Sequence, residues 1–330
     1  MKFGAQMGGP TAGEVARGLE AEGLEFVGVS DTQALAPDVY CLLTTIAATT
    51  KRIELGPWAT NVLTRHPSVT AGAIATVDML SGGRAFLNIG TGRSSTANAG
   101  MKPGTPEQLA EAVTVINSAF RPTREARSDI EWPEGLAIDE DVVPLPAWAA
   151  RRVPILVSAT GPKALRIAAE MGDGVVMSPG DVTLEGAAER VAQLKAWREA
   201  GPRAGQPFDI SLNLRCHLTN SLEQGRAAMR NVVSAHAVYA LPRDMPDDLR
   251  DAQRQYRAAY RWDHHGAFTD PVNPDAMDRL GLADHMYRRY AIIGDESVLI
   301  SAIRTLEEAG VDAVANVPPA IAAAYRARAA

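Results

Sequence analysis

The chain has 330 residues, of which 46% are hydrophobic and 22% are charged. A chain of this length and composition can bury a large core, which excludes intrinsically disordered, collagen-like and disulfide-scaffold proteins. The formal net charge of −6 excludes the strongly basic surface that binds nucleic acids or anionic membranes, so we expect a small-molecule partner.

Short apolar runs recur along the chain, and each one is followed by a stretch with helical periodicity. In chain order the eight runs are Lys2–Met7, Phe26–Ser30, Ile53–Ala59, Ala85–Gly90, Ile155–Ser158, Gly174–Ser178, Ile210–His217 and Val311–Val317. This alternation predicts parallel strands covered by helices, and eight strand–helix units are typical of a closed (β/α)8 TIM barrel.

Two long spacings interrupt this repeat, so we predict a single barrel domain over residues 1–330 with insertions at about 93–152 and 240–290. The first insertion contains the segment WPEGLAIDEDVVPLPAW, which we expect to pack as a flap or irregular excursion. The second insertion is rich in aromatic residues, among them Tyr256, Tyr260 and Trp262. These rings either form a core of their own or line a pocket, and the sequence leaves both interpretations open.

The active site of a TIM barrel is built from loops at the carboxyl ends of its strands. These positions hold Gln6 in the first run, Asp31 after the second, Thr60 after the third, and the segment Gly90–Gly92 followed by Arg93 at the fourth. The sequence has no HExxH, GxSxG or Walker A motif and no histidine–carboxylate cluster at metal-ligand spacing. We therefore expect no metal site, no catalytic triad and no nucleotide hydrolysis.

The segment SATGPKALRIAAEMGDG contains a candidate anion site. At Thr160–Pro162 a hydroxyl, backbone amides and a predicted helix N-terminus come together, and Lys163 adds positive charge nearby. Such an arrangement binds phosphate in many proteins, but it is also an ordinary strand-to-helix turn. Both interpretations stay open on the local sequence alone.

The cysteine pattern and the N-terminal residues point to a compartment. Cys41 and Cys216 lie far apart and form no CxxC motif, which argues against a disulfide framework and a cysteine metal site. The first residues, MKFGAQMGG, lack the apolar region of a signal peptide, and no segment approaches the length of a membrane span. We therefore expect a cytoplasmic protein.

Three segments resemble one known family in register. RIELGPWATNVLTRHPSVTAGAIATVDMLSGGRAFLNIGTG resembles the third-to-fourth-strand block of the bacterial luciferase-like superfamily, PILVSATGPKALRIAAEMGDGVVMS its fifth-to-sixth-strand block, and YAIIGDESVLISAIRTLEEAGVDAVANV its last helix and strand. The resemblance is strongest to the deazaflavin branch typified by methylenetetrahydromethanopterin reductase. It implies a (β/α)8 barrel that binds coenzyme F-420 or FMN at its mouth and acts on a small organic substrate.

The resemblance also implies site residues by matching position. Asp31 is expected beside the cofactor ring, and a non-prolyl cis peptide bond is expected near Trp58–Ala59. The full set of implied cofactor-binding residues is Asp31, Trp58, Ala59, Thr60, Gly90, Thr91, Gly92, Ala159, Thr160, Gly161, Pro162, Met177 and Ser178. The candidate substrate-binding residues are Gln6, Arg93, Trp262 and His265.

Two departures from the family pattern affect the catalytic prediction. Asp31 is followed by Thr32 rather than by the histidine of many relatives, and Arg93 stands where some deazaflavin members have a carboxylate. Arg93 either binds an anionic substrate or a phosphate, or caps a loop. Because the usual histidine is missing, the general acid or base must come from elsewhere. The catalytic candidates are Asp31, His217 and His264.

These observations support three hypotheses. The first is an oxidoreductase that transfers hydride between coenzyme F-420 and a small organic substrate held under the aromatic insertion. The second is an FMN-dependent monooxygenase that uses O2 and reduced flavin supplied by a partner flavin reductase. The third is a flavin-binding protein without turnover. Members of the family are often dimers, so we also expect a homodimer.

Overall fold

The computed structural model describes residues 1–33, 35–120, 149, 151–178, 184, 186–265 and 269–329. The segment WPEGLAIDEDVVPLPAW lies outside the described residues, so its expected packing as a flap stays a prediction. None of the helices in these ranges is long and apolar enough to cross a membrane. The chain divides into two compact units: unit 1 comprises Met1–Met177, Glu189–Leu212 and Val311–Ala315, and unit 2 comprises Ser178–Ala188, Asn213–Gly310 and Asn316–Ala330.

The strands of the described chain are β1 (Lys2–Met7), β2 (Phe26–Val29), β3 (Glu54–Pro57), β4 (Thr60–Asn61), β5 (Leu87–Gly90), β6 (Ile155–Ser158), β7 (Gly174–Met177), β8 (Asp209–Asn213), β9 (Cys216–Leu218), β10 (Ile292–Gly294) and β11 (Ala313–Ala315). Nine of them form one mostly parallel sheet in the order β3-β2-β1-β11-β8-β7-β6-β5-β4. The two ends of this order, β3 and β4, are segments of one strand separated only by Trp58 and Ala59. The sheet therefore closes on itself, which confirms the predicted (β/α)8 barrel.

The helices of the described chain are α1 (Ala12–Ala21), α2 (Val39–Thr49), α3 (Pro67–Ser81), α4 (Ser94–Asn98), α5 (Pro106–Ala119), α6 (Pro162–Met171), α7 (Ala187–Ala200), α8 (Leu222–Ala237), α9 (Arg250–Ala259), α10 (Val272–Arg279), α11 (Ala283–Tyr290), α12 (Glu296–Glu308) and α13 (Pro319–Ala329). Local signals place their ends. Helix α3 begins at Pro67 and ends at Gly82, which has a left-handed φ of 71°. Helix α5 begins with a capping box formed by Thr105 and Gln108.

Three aromatic rings pack together inside the barrel. The rings of Phe26, Trp58 and Phe86 have centroids 5.3 to 6.4 Å apart, and all three side chains are buried. Glycines on neighbouring strands make room for them. A Cβ atom at Gly28 would lie 2.4 Å from Cβ of Trp58, and one at Gly56 would lie 2.2 Å from the Phe86 carbonyl oxygen. Small residues beside large ones thus fix the position of Trp58.

Replacing Gly56 with alanine is expected to lower the free energy of unfolding by about 2–3 kcal/mol, because the new Cβ meets rigid backbone at Phe86. The control is Gly18→Ala. Gly18 lies within α1, where an added Cβ meets no atom within 4 Å, so alanine is expected to stabilise by about 0.5–1 kcal/mol. Urea denaturation of both variants measures the changes. An unchanged unfolding free energy in Gly56→Ala would contradict the tight packing.

Unit 2 has a hydrophobic core of its own. Side chains from α8 to α11 form it, and Tyr256, Tyr260, Tyr287 and Tyr290 are among its buried members. Trp262 packs against this core and is partly buried. The aromatic residues of the second insertion therefore build a core, which supports the first of the two interpretations left open by the sequence.

The predicted seventh strand is too long. The run Ile210–His217 divides into β8, which ends at Asn213, and β9, which pairs with β10 in a separate two-stranded sheet. The prediction that His217 ends the seventh strand is therefore wrong, since His217 lies in β9 opposite Ile293. The alternation of apolar and polar residues continues from Ile210 to Leu218 across the break at Leu214–Arg215, so periodicity cannot detect it.

Candidate functional site

The candidate site of unit 1 lies at the carboxyl ends of the barrel strands. Gln6, near the end of β1, donates from Nε2 to the Ser30 hydroxyl (3.0 Å) and to the Trp58 carbonyl oxygen (3.2 Å). This carbonyl belongs to the Trp58–Ala59 peptide bond, which is cis, so the position predicted for a cis bond is confirmed. Gln6, predicted to bind substrate, thus holds the backbone between β3 and β4.

Asp31 directly follows the loop end of β2 and is only 7% exposed. Its Oδ2 atom accepts hydrogen bonds from the Thr60 hydroxyl (2.6 Å) and from Nη1 of Arg65 (2.6 Å). Within the described chain both hydrogen bonds of this carboxylate go to Oδ2. Oδ1 is therefore left to accept a hydrogen bond from a ligand.

Arg65 connects Asp31 to a second carboxylate. Its Nη2 atom lies 2.6 Å from Oδ2 of Asp38, and its guanidinium lies 5.1 Å from the centroid of the Tyr40 ring. Burial alone would raise the pKa of Asp38, but the Cys41 amide and the Arg65 guanidinium outweigh it and lower that pKa. Burial also raises the pKa of the Tyr40 phenol. Arg65 is not among the predicted residues, and its only signal in the sequence is a charge shortly after the third strand.

Polar side chains link the loops that follow β2, β4 and β5. Gln33 donates from Nε2 to the Ser95 carbonyl oxygen (3.0 Å), and Asn61 donates from Nδ2 to the Ser95 hydroxyl (3.1 Å). The Thr32 hydroxyl shares a hydrogen bond of 3.4 Å with the Ser94 hydroxyl. These contacts fix helix α4 against the loop that carries Asp31.

The GTG segment at the end of β5 packs closely against its neighbours. Gly92 has a left-handed φ of 74°, and an added Cβ would lie 2.7 Å from Cβ of Asn61. At Gly90 an added Cβ would lie 3.1 Å from Ser158. The Thr91 carbonyl oxygen accepts a hydrogen bond from the backbone amide of residue 104 (2.8 Å). Close packing therefore favours glycine at both positions, because a Cβ atom there would press on Asn61 or Ser158.

A buried donor lies on β5 close to these glycines. Asn88 is fully buried, and its Oδ1 atom accepts a hydrogen bond from the Ser158 hydroxyl (2.9 Å). Its Nδ2 atom has no hydrogen-bond partner within the described part of the chain. A buried donor without an acceptor costs about 1–3 kcal/mol, so Nδ2 is suited to meet an acceptor on a ligand. Asn88 is also absent from the predicted set, because its direction within a buried strand cannot be read from the sequence.

Arg93 lies at the predicted anion site. Its Nη2 atom donates to the Thr160 hydroxyl at 3.2 Å. Thr160 precedes Gly161, the N-cap residue of α6, where no side chain caps the helix and an added Cβ meets nothing within 4 Å. The structure thus brings together a guanidinium, a hydroxyl and the N-terminus of a helix, which is an arrangement suited to a negatively charged group.

The remaining residues predicted for the cofactor are placed as follows. Ala159 and Met177 are buried at the ends of β6 and β7, and the Ala159 amide donates to the Val176 carbonyl oxygen (3.1 Å). Pro162 is the exposed first residue of α6. Ser178 belongs to unit 2.

Two of the residues predicted in unit 2 lie together in an aromatic cluster. His265 is buried, and its ring centroid lies 5.3 Å from that of Trp262. The Tyr260 hydroxyl lies 2.5 Å from Nδ1 of His265, and the Tyr239 hydroxyl lies 3.4 Å from Nε2. His265 is therefore held between two phenols inside the core of this unit.

The predicted catalytic histidines of unit 2 lie in different places. His264 pairs through Nδ1 with Asp270 at 2.6 Å. His217 lies in β9, where its ring is 3.6 Å from the position of an added Cβ at Gly225 of α8. Across the residues that the structure describes, no group of three or more His, Cys, Asp or Glu side chains is arranged to hold a metal ion.

The stability of the protein is expected to fall with decreasing pH through His265. Burial lowers the pKa of His265 to about 4 from an ordinary value of 6.5. Between these two values the unfolded chain binds a proton that the folded protein does not, so the unfolding free energy falls by about 1.4 kcal/mol per pH unit from this residue. Urea denaturation at neutral pH and near pH 5 measures this loss, and we expect the unfolding free energy to fall less in His265→Gln than in wild type. Equal falls in the two proteins would show that His265 does not titrate in this way.

The chain was compared with known protein families, sequences and structures. A sequence model of the luciferase-like monooxygenase family matches residues 5–313. The 5,10-methylenetetrahydromethanopterin reductase of Archaeoglobus fulgidus is 28% identical over 302 residues, which cover 84% of this chain and 80% of the relative. The 4-hydroxyprotoasukamycin monooxygenase of Streptomyces nodosus subsp. asukaensis is 27% identical over 311 residues, or 90% of this chain and 76% of the relative. The solved coenzyme F-420-dependent tetrahydromethanopterin reductase of Methanopyrus kandleri has the same fold, with a TM-score of 0.71, 23% identity, and coverage of 95% of this chain and 92% of that one.

Proposed function

Because the chain belongs to the luciferase-like monooxygenase family, we propose that it is an oxidoreductase that transfers hydride between the deazaflavin coenzyme F-420 and a small organic substrate. The observation that carries this proposal is the match over 302 residues to a reductase named for methylenetetrahydromethanopterin. A solved reductase of the same fold is named as dependent on coenzyme F-420. The named relatives are enzymes, so a flavin-binding protein without turnover has no support from them.

The residues at the barrel mouth fit the ring of such a cofactor. Nδ2 of Asn88 is a buried donor without an acceptor in the described chain. Oδ1 of Asp31 accepts no hydrogen bond from the described chain, so it can accept one from a ligand. A deazaflavin or flavin ring carries both carbonyl oxygens and N–H groups. We therefore assign Asp31 and Asn88 to the polar edge of the ring.

The anion site fits the phosphate of the cofactor. Arg93 and Thr160 hydrogen bond to each other beside the uncapped N-terminus of α6. A phosphate placed there would accept hydrogen bonds from the guanidinium, the hydroxyl and the first amides of the helix. Of the interpretations left open for Arg93, phosphate binding is the one that this contact favours.

The chain's own residues would bind and orient the reactants. The deazaflavin, when bound, supplies the ring carbon that donates or accepts hydride. Thr60 and Arg65 fix the Asp31 carboxylate, and Arg65 compensates its charge. Gln6 holds the Trp58 carbonyl, so the backbone between β3 and β4 keeps one position. His264 of unit 2, whose Nδ1 atom pairs with Asp270, stays a prediction as a catalytic residue.

A second candidate function is an FMN-dependent monooxygenase that uses reduced flavin and O2. It is favoured by the match over 311 residues to 4-hydroxyprotoasukamycin monooxygenase. The barrel does not distinguish the two chemistries, since one fold supports many reactions. Substrate-dependent consumption of O2 with reduced FMN, beyond the autoxidation of the flavin, would support this second function.

The test of the first function is a titration of the purified protein with coenzyme F-420 and FMN side by side, followed by ligand fluorescence. We expect the deazaflavin to bind at least about tenfold more tightly, which corresponds to about 1.4 kcal/mol. Tight binding of FMN with no measurable affinity for coenzyme F-420 would overturn the proposal and leave the monooxygenase as the better candidate.

A further inference from the structure

Arg215 of unit 2 is a half-buried cation whose hydrogen bonds all go to neutral groups. It follows β8, and its Nη1 atom donates to Oδ1 of Asn213 (2.7 Å) and to the Leu214 carbonyl oxygen (2.8 Å). Its Nη2 atom lies 2.9 Å from Nε2 of His236. No carboxylate pairs with Arg215 in the part of the chain that the structure describes. Burial lowers the pKa of this guanidinium to about 10, which shows how little of its charge is compensated.

Other arginines with neutral partners use their donors more completely. Arg84 makes five hydrogen bonds, from Nε, Nη1 and Nη2, to backbone carbonyls and the Thr50 hydroxyl. Arg198 makes four, and they also involve all three nitrogens. Arg215 makes three, and none of them uses Nε. Because Nε of Arg215 has no partner in the described chain and is not fully buried, its N–H is open to solvent and can donate to a ligand.

His236 fixes the orientation of Arg215. Its Nδ1 atom lies 2.8 Å from the Val232 carbonyl oxygen and must carry the proton, because a carbonyl can only accept. Nε2 therefore has a lone pair and accepts from Arg215. Burial and the neighbouring Arg215 lower the pKa of His236 to about 3, so the ring stays neutral at physiological pH. Asn213 is also held, since its Oδ1 atom accepts from Nδ2 of Asn316 (2.6 Å).

A row of partly exposed rings begins at this arginine. The ring centroids of His236 and Tyr239 are 6.4 Å apart, and those of Tyr239 and Trp262 are 6.2 Å apart. All three side chains are partly exposed. Asp263, the residue after Trp262, does not oppose an anion strongly, because it pairs with Arg261 at 2.6 Å. Burial raises the pKa of the Cys216 thiol to about 12, so this group is neutral near pH 7.

We propose that Arg215, with the rings of His236, Tyr239 and Trp262, forms a binding site for a planar organic anion of the aromatic carboxylate class. The carboxylate binds the free Nε–H and Nη2–H of Arg215, and the rings contact the apolar body of the ligand. That this anion is the substrate of the enzyme rests on the proposed function, whereas its binding to the protein does not.

The probe for this site is benzoate, titrated into 15N-labelled protein while the Arg215 Nε–H resonance is followed. The resonance is assigned by its loss in Arg215→Lys. We expect a saturable shift with benzoate and no such shift with benzyl alcohol, which has the ring but no charge. Calorimetry should show benzoate affinity about 10- to 100-fold weaker in Arg215→Gln, and weaker to a smaller extent in Arg215→Lys, which keeps the charge but loses the planar fork.

The matched control is Arg254→Gln, since Arg254 is an exposed arginine of the same unit that pairs with Asp251. It should leave benzoate affinity unchanged. A resonance that does not move, or equal benzoate affinity in wild type and Arg215→Gln, would overturn the proposal. If Arg215→Gln fails to fold, the Arg215→Lys variant decides the question, and benzoate affinity equal to that of wild type would overturn the proposal.

A parallel titration with coenzyme F-420 separates the two proposals. Coenzyme binding without benzoate binding would refute the anion site and leave the proposed function intact. Benzoate binding that depends on Arg215, without binding of coenzyme F-420, would refute the proposed function and support the anion site.

Discussion

Replacing Asp31 with asparagine is expected to weaken the binding of coenzyme F-420 by about 10- to 100-fold. The substitution keeps the shape of the side chain but removes the charge that Arg65 compensates and the acceptor that we assign to a ring N–H. Hydrogen bonds to charged groups contribute about 1.5–3 kcal/mol, which corresponds to this range of affinity. Ligand fluorescence measures the dissociation constant directly.

Asp38 offers a matched control for this substitution. It binds Nη2 of the same arginine, at 2.6 Å, but is half-exposed where Asp31 is buried. We expect Asp38→Asn to change coenzyme affinity by less than about threefold, since exposed ion pairs contribute little. It should also change the free energy of unfolding by less than about 0.5 kcal/mol, because Asp38 caps α2 and asparagine caps helices about equally well. Equal losses of affinity in the two variants would mean that Asp31 acts only through Arg65.

Replacing Arg93 with glutamine is expected to weaken binding of the phosphorylated cofactor by about 10- to 100-fold, because a charge-assisted hydrogen bond to phosphate is lost. The effect should depend on the phosphate. FMN and riboflavin differ only in that group, so their affinities for wild type and variant separate phosphate recognition from ring recognition. Riboflavin affinity should change by less than about threefold.

Lys163 supplies the control for Arg93. Lys163 lies in the first turn of α6, but its side chain is 75% exposed and pairs with Glu107. Lys163→Gln is expected to leave cofactor affinity nearly unchanged, as for other exposed ion pairs. If Arg93→Gln weakens the binding of FMN and of riboflavin equally, Arg93 does not recognise the phosphate. The interpretation that Arg93 binds the substrate would then be favoured.

The barrel could be predicted because burial imposes simple patterns on its strands. Phe26–Val29 and Gly174–Met177 lie inside the predicted runs, shortened by one residue each. The same pattern does not detect a change of sheet where the alternation of apolar and polar residues continues, as at Leu214–Arg215. Periodicity reports that a segment is buried, but it does not report which neighbour buries it.

Residues of the candidate site could be predicted only where a polar residue or glycine stands at the end of a predicted strand. Asp31 and the GTG segment stand at strand ends and were identified, whereas Arg65 and Asn88 were not. The Asp31–Arg65 pair joins residues 34 positions apart, and its partners are chosen by how β2 and the loop after β4 are placed in space. Asn88 lies inside a strand, so the sequence gives no sign of its role. That role is suggested only by the structure, in which Nδ2 has no hydrogen-bond partner within the described chain.

The hydrogen bonds of Gln33, Asn61 and Ser95 have a consequence for protein engineering. Loops on a barrel are often treated as exchangeable modules, each carried by its own strand. Here the loop after β5 supplies partners to the loops after β2 and β4, and through Arg93 to the loop after β6. A graft that replaces this one loop would therefore disturb three others. New specificities are better sought by changing paired positions together than by transplanting single loops.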